Sequence, residues 1–236
     1  MLESVRAAVR RRLARRLRVP EIPVALANLK DQGFLPDTIF DVGAYQGEFA
    51  RECLKLWPAS QIVCFEPLPH MLPVLGALAA RSPRLQVRET LLGAREAEAV
   101  ALHCAETASS VLPEHHENHP VILCPQTTVD AVVARDFAGR SPDLLKIDVQ
   151  GYELEVLKGA RDALGGIAAV LAELNLIDVH RDVPLVADLV GWLRERGFVA
   201  FDICGLGRRP LDNALWQADM IFVPFDSPLR ANKHWA

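Results

Sequence analysis

Carboxylates and glycines recur in this 236-residue chain immediately after short apolar runs. They stand in Asp41-Val42-Gly43-Ala44-Tyr45-Gln46-Gly47, Glu66-Pro67, Asp148-Val149-Gln150-Gly151 and Glu173-Leu174-Asn175. Gly43 and Gly47 allow the backbone to turn sharply and approach a ligand before a helix begins, as glycines do in nucleotide-binding turns. A dinucleotide fingerprint would read G-x-G-x-x-G, whereas here two glycines stand four apart and Asp41 precedes the first by two. A carboxylate at that loop entrance repels a pyrophosphate and attracts a cation. Glu66, nineteen residues after Gly47, ends the next apolar run, where a carboxylate can accept both hydroxyls of a ribose. The plainer roles, Asp41 capping the following helix and Glu66 as a solvated turn residue, account for less of this pattern.

A guest with a ribose, a positive charge and no phosphate meets these conditions, and S-adenosylmethionine, with its ammonium and sulfonium, is such a guest. Methyl transfer from it is an in-line displacement, so a protein contributes chiefly by holding the acceptor atom, the methyl and the sulfur collinear. A base that removes the proton of a hydroxyl acceptor adds roughly 10² to 10⁴-fold. His180, in LNLIDVHRDVP, and Asp148 are the candidate bases, with Glu173 as an orienting or acceptor-binding group. Against these stand a helix-capping Asp148, a loop histidine without a role at 180, and a structural ion pair between Lys146 and Glu153. Glu155 and Lys158, one turn apart, read as a surface pair. His115, His116 and His119 beside Glu114 and Glu117 have the residue types of a metal site. The stretch lacks the apolar periodicity that would hold ligands rigid, so it reads as a solvated acceptor-side loop and no metal is expected.

The elements that must position these groups begin at residue 38. TIFDVG, QIVCFEP, LQVRETLLG, EAVALHC, VILCPQTT, LLKIDVQG, IAAVLAELNL, FVAFDIC and ADMIFVPF have the short, apolar, β-branched character of strands, and most are separated by helical stretches. This alternation predicts an α/β fold: a Rossmann-like, open, mostly parallel sheet with helices on both faces. Only GLGRRPLDNALWQ separates the last two strands, too little for a helical crossover, so an antiparallel edge strand is expected. In such a sheet ligands bind beyond the carboxyl ends of the strands, where Asp41, Glu66, Asp148 and Glu173 fall.

With 50% hydrophobic and 24% charged residues the chain can bury a large core, which excludes a disordered or disulfide-stapled protein. The five cysteines include no CxxC pair and read as buried, reduced thiols. Residues 1 to 18 hold seven Arg and one Glu within a chain of net charge −4, so the remainder carries −10. Nucleic acid is therefore not an expected partner. The spacing of Leu2, Val5, Val9, Leu13 and Leu17 predicts a basic amphipathic arm over residues 1 to 20, ahead of one domain over residues 21 to 236. Its stripe suits packing on the domain or on another subunit; adsorption to an anionic membrane and a transit peptide are the other readings. No apolar run reaches the ~18 residues of a membrane span, and a cytoplasmic protein, or one peripheral to the inner face of a membrane, is expected. Monomer and homodimer are both left open.

IFDVGAYQGEFA, IVCFEPLPHMLPVL, DLLKIDVQGYELEVLKGA, LAELNL and the late DMIFV resemble the FkbM-type methyltransferases, a branch of the seven-stranded S-adenosylmethionine-dependent enzymes. The resemblance runs from about Thr38 to Val223, and LLKIDVQGYELEVLKGA is its most specific part. It implies methyl transfer to oxygen, with hydroxyls of sugars or polyketide-type natural products as acceptors. By position it implies that Asp41, Gly43 and Gly47 form the loop along the methionine side, with Ala44 and Tyr45 following the cofactor through their backbone. Glu66, followed by Pro67, would bind the ribose, and Asp148, with Lys146 on the same face, would lie beside the methyl group. Ser109 and Ser110 resemble a polar pair on the acceptor side. Gln150 stands where the family pattern has Glu, so a role needing negative charge there does not carry over. Two other function classes are a Rossmann-type oxidoreductase, opposed by Asp41 and the absent third glycine, and a non-catalytic cofactor-binding homologue, toward which Gln150 leans.

Overall fold

The structure, a computed structural model, describes residues 17, 19–116 and 118–235. The basic arm expected over residues 1 to 20 therefore falls almost wholly outside the described residues. Within them the strands are β1 (Thr38–Val42), β2 (Gln61–Phe65), β3 (Leu85–Arg88), β4 (Leu91–Leu92), β5 (Ala97–His103), β6 (Val121–Thr127), β7 (Leu144–Ile147), β8 (Ala169–Asn175), β9 (Phe198–Arg208) and β10 (Leu215–Pro224). The helices are α1 (Ile22–Asp31), α2 (Glu48–Leu56), α3 (Leu72–Ala79), α4 (Val129–Asp136), α5 (Glu153–Lys158) and α6 (Val186–Glu195).

Seven strands form one sheet in the order β3-β2-β1-β7-β8-β10-β9. The five from β3 to β8 pair in parallel, and β10 is antiparallel to both of its neighbours. The edge pairing is thus antiparallel as expected, with the reversed strand one place inside the edge. Alternation along each strand feeds two cores. On one face Phe40, Val42, Phe65, Leu145 and Ile147 pack with α4, α5 and α6; on the other Ile39, Ile62, Leu144 and Leu171 pack with α1 and α2. Four of the five cysteines are buried, and all five are free thiols.

The sequence suggested that residues 85–127 all feed the main sheet, but β4, β5 and β6 form a separate three-stranded sheet in the order β4-β6-β5. Along β5 and β6 buried and solvent-facing positions mix, with Val121 and Leu123 exposed. A ribbon with one wet face does not fit inside a sheet covered on both sides.

Strand order reverses between β1 and β7, so a crevice opens at their carboxyl ends. The turn leaving β7 is held by Glu153, whose buried carboxylate accepts the amide N–H groups of Val149 and Gly151, each at 3.0 Å. The alternative Lys146–Glu153 ion pair does not form, because Lys146 turns to Asp41 and Asp148. Glu155 and Lys158 do pair, at 2.5 Å. Burial pushes the Glu153 carboxyl up from 4.5 to about 7. The folded state therefore holds this proton more tightly than the unfolded chain. The associated stability is complete below pH 4.5 and is lost as pH rises through about 7. Glu153→Gln keeps an oxygen acceptor for the two amides and never ionises. Its melting temperature should exceed that of the unsubstituted protein by a few degrees at pH 8 and match it near pH 4. Equal differences at both pH values would show that Glu153 ionisation does not limit the fold.

Candidate active site

Asp41 and Lys146 are register partners on adjacent parallel strands. Their side chains meet beneath the crevice, Nζ to Oδ1 at 3.0 Å, with Asp41 0% exposed. The same ammonium donates to the carbonyl of Gly43 at 2.7 Å and lies 3.6 Å from Oδ2 of Asp148. Burial pulls the Lys146 pKa down, but Asp41 and Asp148 outweigh it and hold the group protonated. Burial likewise pushes the Asp41 carboxyl up, against the pull of Lys146. Asp41 thus sits behind the cavity wall with its charge answered. The cationic guest expected at Asp41 would instead meet Asp148, whose side chain is 37% exposed.

The loop after β1 is shaped by contact with the loop after β7. Gly43 has φ +75°, and a Cβ there would fall 1.8 Å from the carbonyl oxygen of Asp148. Only glycine lets the two loops touch. The amides of Gly43 and Ala44 donate to the Phe65 carbonyl at 3.0 and 3.2 Å. The next amide, Tyr45, donates to Oε2 of Glu66 at 2.7 Å, and Leu68 donates to Oε1 at 2.8 Å. Glu66 is 3% exposed, and burial raises its pKa while the Leu68 and Tyr45 amides oppose the rise. Two fixed backbone donors orient the carboxylate, and each oxygen keeps capacity to accept another hydrogen. Gly47 precedes α2 and is set back from the cavity, under Leu75 and Leu78.

These loops border a cavity of about 850 Å³. Gly43, Ala44, Tyr45, Glu66, Pro67 and Asp148 all line it, as does Ser109. It also reaches residues that the sequence did not single out: Leu91 and Leu92, the stretch Pro20–Pro23, Gly205 and Asp219. Asp219 carried one signal, a carboxylate inside the apolar run ADMIFV. Seven carboxylates and three cationic side chains line the cavity, so its field favours a positively charged guest.

Behind Asp148 lies a polar network. The Gln150 amide donates to Oδ1 of Asp148 at 3.0 Å and to Oε2 of Glu173 at 2.8 Å. Gln217 donates to the same Glu173 oxygen at 2.7 Å and to Oε1 of Gln150 at 3.3 Å. Glu173 is therefore one side chain removed from the cavity, and burial raises its pKa, with Asp148 adding to the shift. An ionised glutamate at position 150 could not donate to both acids. Asp148 does not cap α5, whose first turn has no side-chain cap.

His180 does not reach the cavity. It is 2% exposed, pairs through its backbone with Glu114, and among the described residues neither ring nitrogen has a hydrogen-bond partner. The segment carrying it folds onto the 112–115 loop: Arg181 donates to the Pro113 carbonyl at 2.9 Å, and Val183 covers Gly151. Burial lowers its pKa, opposed by Glu114. His119 contacts Glu114 at 3.2 Å, and Ser110 donates to the Gln150 carbonyl at 2.7 Å. Among the described residues no three His, Cys, Asp or Glu side chains are grouped to hold a metal ion.

The family model of the Methyltransferase FkbM domain matches residues 41–200, most of the chain, and includes the loops after β1, β2 and β7. The chain belongs to the FkbM methyltransferase family. It is 30% identical over 151 residues to Methyltransferase 1 of Beauveria bassiana (strain ARSEF 2860), a match that covers 54% of this chain and 60% of that protein. Among solved structures it is similar to the FkbM methyltransferase of Methylobacillus flagellatus KT, with TM-score 0.52 and 18% identity, over 78% of this chain and 43% of that one. Aeropyrum pernix fibrillarin with natively bound S-adenosyl-L-methionine matches with TM-score 0.47 and 19% identity, over 85% of this chain and 74% of that one. This chain thus spans less than two thirds of the first two relatives. The cofactor is S-adenosyl-L-methionine, and the cavity suits it, with an oriented carboxylate for a ribose and an acidic field for its cation.

Removing one partner of a buried ion pair leaves the other uncompensated, at about 3 to 5 kcal/mol. Lys146 keeps Asp148 nearby, so Asp41→Asn should cost on the order of 3 kcal/mol in urea unfolding. A loss under about 1 kcal/mol would show the pair to be dispensable.

Proposed function

We propose that this chain transfers the methyl group of S-adenosyl-L-methionine to a hydroxyl oxygen of a small-molecule or glycan acceptor, such as a sugar, a glycolipid or a natural product. The observation that carries this reading is Glu66, buried at the cavity wall with both oxygens oriented by backbone amides and still able to accept from a diol. When bound, the cofactor supplies a methyl group already activated by the sulfonium. Glu66 and Pro67 hold the ribose end, and the Gly43–Tyr45 backbone runs beside the methionine end. Asp148, braced by Lys146 and Gln150, offers a fixed negative charge to the cation, so little reorganisation is needed when the guest arrives.

On the acceptor side the cavity opens past Ser109 and Glu106. Tyr45 Oη donates to Oε2 of Glu106 at 3.1 Å, and His70 lies 3.5 Å from the same oxygen. This exposed chain of contacts links the loops after β1, β2 and β5. The basic arm over residues 1 to 20, ahead of a domain over 21 to 236, suits a peripheral contact with an anionic membrane on the cytoplasmic side, or with a second copy of the chain.

Titration calorimetry with S-adenosyl-L-methionine, S-adenosylhomocysteine and NADH tests the cofactor assignment. The first two should bind and NADH should not; binding of NADH alone overturns the reading. A screen of methyl glycosides and phenols with methyl-labelled donor tests transfer to oxygen. Glu66→Gln replaces one acceptor oxygen by a donor facing a backbone amide. It should weaken S-adenosylhomocysteine by roughly tenfold or more, or about 1.4 kcal/mol. Unchanged affinity would remove Glu66 from the cofactor site.

A further inference from the structure

Five carboxylates gather at this end of the sheet: Asp41, Glu66, Asp148, Glu173 and Asp219. Four are engaged by donors of the protein itself. Asp41 has Lys146, Glu66 has two backbone amides, Asp148 has Lys146 and Gln150, and Glu173 has the Gln150 and Gln217 amides. Among the described residues the Asp219 carboxylate accepts no hydrogen bond, although it lines the cavity.

Its position is built. Asp219 lies on β10 between Glu173 on β8 and Gly205 on β9, where the β10–β9 register slips. A Cβ on Gly205 would fall 1.8 Å from Oδ2 of Asp219, so the carboxylate lies across bare backbone. Any other residue at 205 would occupy the space it uses. Glu66 and the Gly43 loop belong to β2 and β1, on the other side of β7 in the sheet. Asp219 therefore lines the end of the cavity opposite the ribose carboxylate, on the far side of Asp148.

We propose that Asp219 is the catalytic base that takes the proton of the acceptor hydroxyl, a role that rests on the methyl-transfer reading above. An oxygen lone pair of the acceptor forms the bond to the methyl carbon, and the carbon–sulfur bond breaks with its electron pair left on sulfur. The O–H pair stays on the oxygen, and the proton passes to Asp219, which releases it to solvent. Facing Asp219 are Glu173 on β8, Lys146 and Asp148 from β7 and its turn, and Cys204 on β9, whose thiol donates to the Asp219 carbonyl at 3.4 Å. Burial, then Asp148, push its carboxyl from 3.8 up to about 6 against the pull of Lys146. It is ionised at neutral pH yet more basic than an ordinary aspartate, as a proton acceptor should be.

The test compares the full chain with Asp219→Asn, and with Gly205→Ala, which displaces the carboxylate without removing it. Three quantities are read: S-adenosylhomocysteine affinity, the carbon-13 carboxyl titration of the aspartate-labelled protein, and labelled-methyl transfer to the glycoside and phenol panel from pH 5 to 8. In the unsubstituted protein one carboxyl should titrate near 6, and transfer should rise with pH through the same value. Asp219→Asn should remove both features, lower transfer by roughly 10² to 10⁴-fold, and leave S-adenosylhomocysteine affinity within about threefold. Gly205→Ala should lower transfer with the titrating carboxyl shifted. The proposal is overturned if the variant keeps the rise near pH 6, or if Asp219 titrates at its ordinary value, which needs no acceptor to establish. A tenfold or larger loss of S-adenosylhomocysteine affinity in Asp219→Asn also overturns it, by assigning the carboxylate to the cofactor cation. Failure of the unsubstituted protein to bind S-adenosyl-L-methionine would instead defeat the methyl-transfer reading itself.

Discussion

The structure around the crevice depends on one buried ion pair. Lys146 is the cation common to Asp41, Asp148 and the carbonyl of Gly43, and it joins the two strands between which the sheet reverses order. Burying an ammonium is costly, and here it is offset by two carboxylates and a carbonyl within reach. With Lys146 in place the loops after β1 and β7 are drawn together until Gly43 touches the Asp148 carbonyl. The cofactor cavity is the space left in front of that contact.

From this anchor charge is graded outward. Asp41 is neutralised in the wall, Asp148 is half answered, and Asp219 is left open at the far end. Gln150 and Gln217 keep the grading from collapsing into plain repulsion. Their amides stand between Asp148 and Glu173 and give each acid a donor. A single amide at position 150 thus serves both acids without opening the site. The amide replaces a charge that would otherwise need a proton or a second cation.

Much of this was legible in the sequence, for local reasons. Gly43, Glu66 and Asp148 each end an apolar run, and period-two burial followed by a glycine or a turn needs no partner to be recognised. What was not legible depends on strand order. Asp41 and Lys146 lie more than a hundred residues apart, and nothing near Asp41 tells that its neighbour in the sheet carries an ammonium. A carboxylate read as facing a ligand therefore proves to face a lysine. His180 failed for a similar reason, because the 112–115 loop that buries it is remote in sequence. Asp219 was overlooked because its access to the cavity rests on a bare glycine across an antiparallel pair. The separate β4-β6-β5 sheet escaped because strands alone do not announce which sheet they join.

The stretch Pro20–Pro23 lines the cavity on one side and adjoins the arginine-rich residues on the other. Two prolines in four residues leave this stretch little backbone slack. Pro23 stands in the first turn of α1, whose Ala25, Leu26 and Leu29 are buried in the core, so this rim of the cavity is anchored to the layer that covers the sheet and cannot widen without unpacking it.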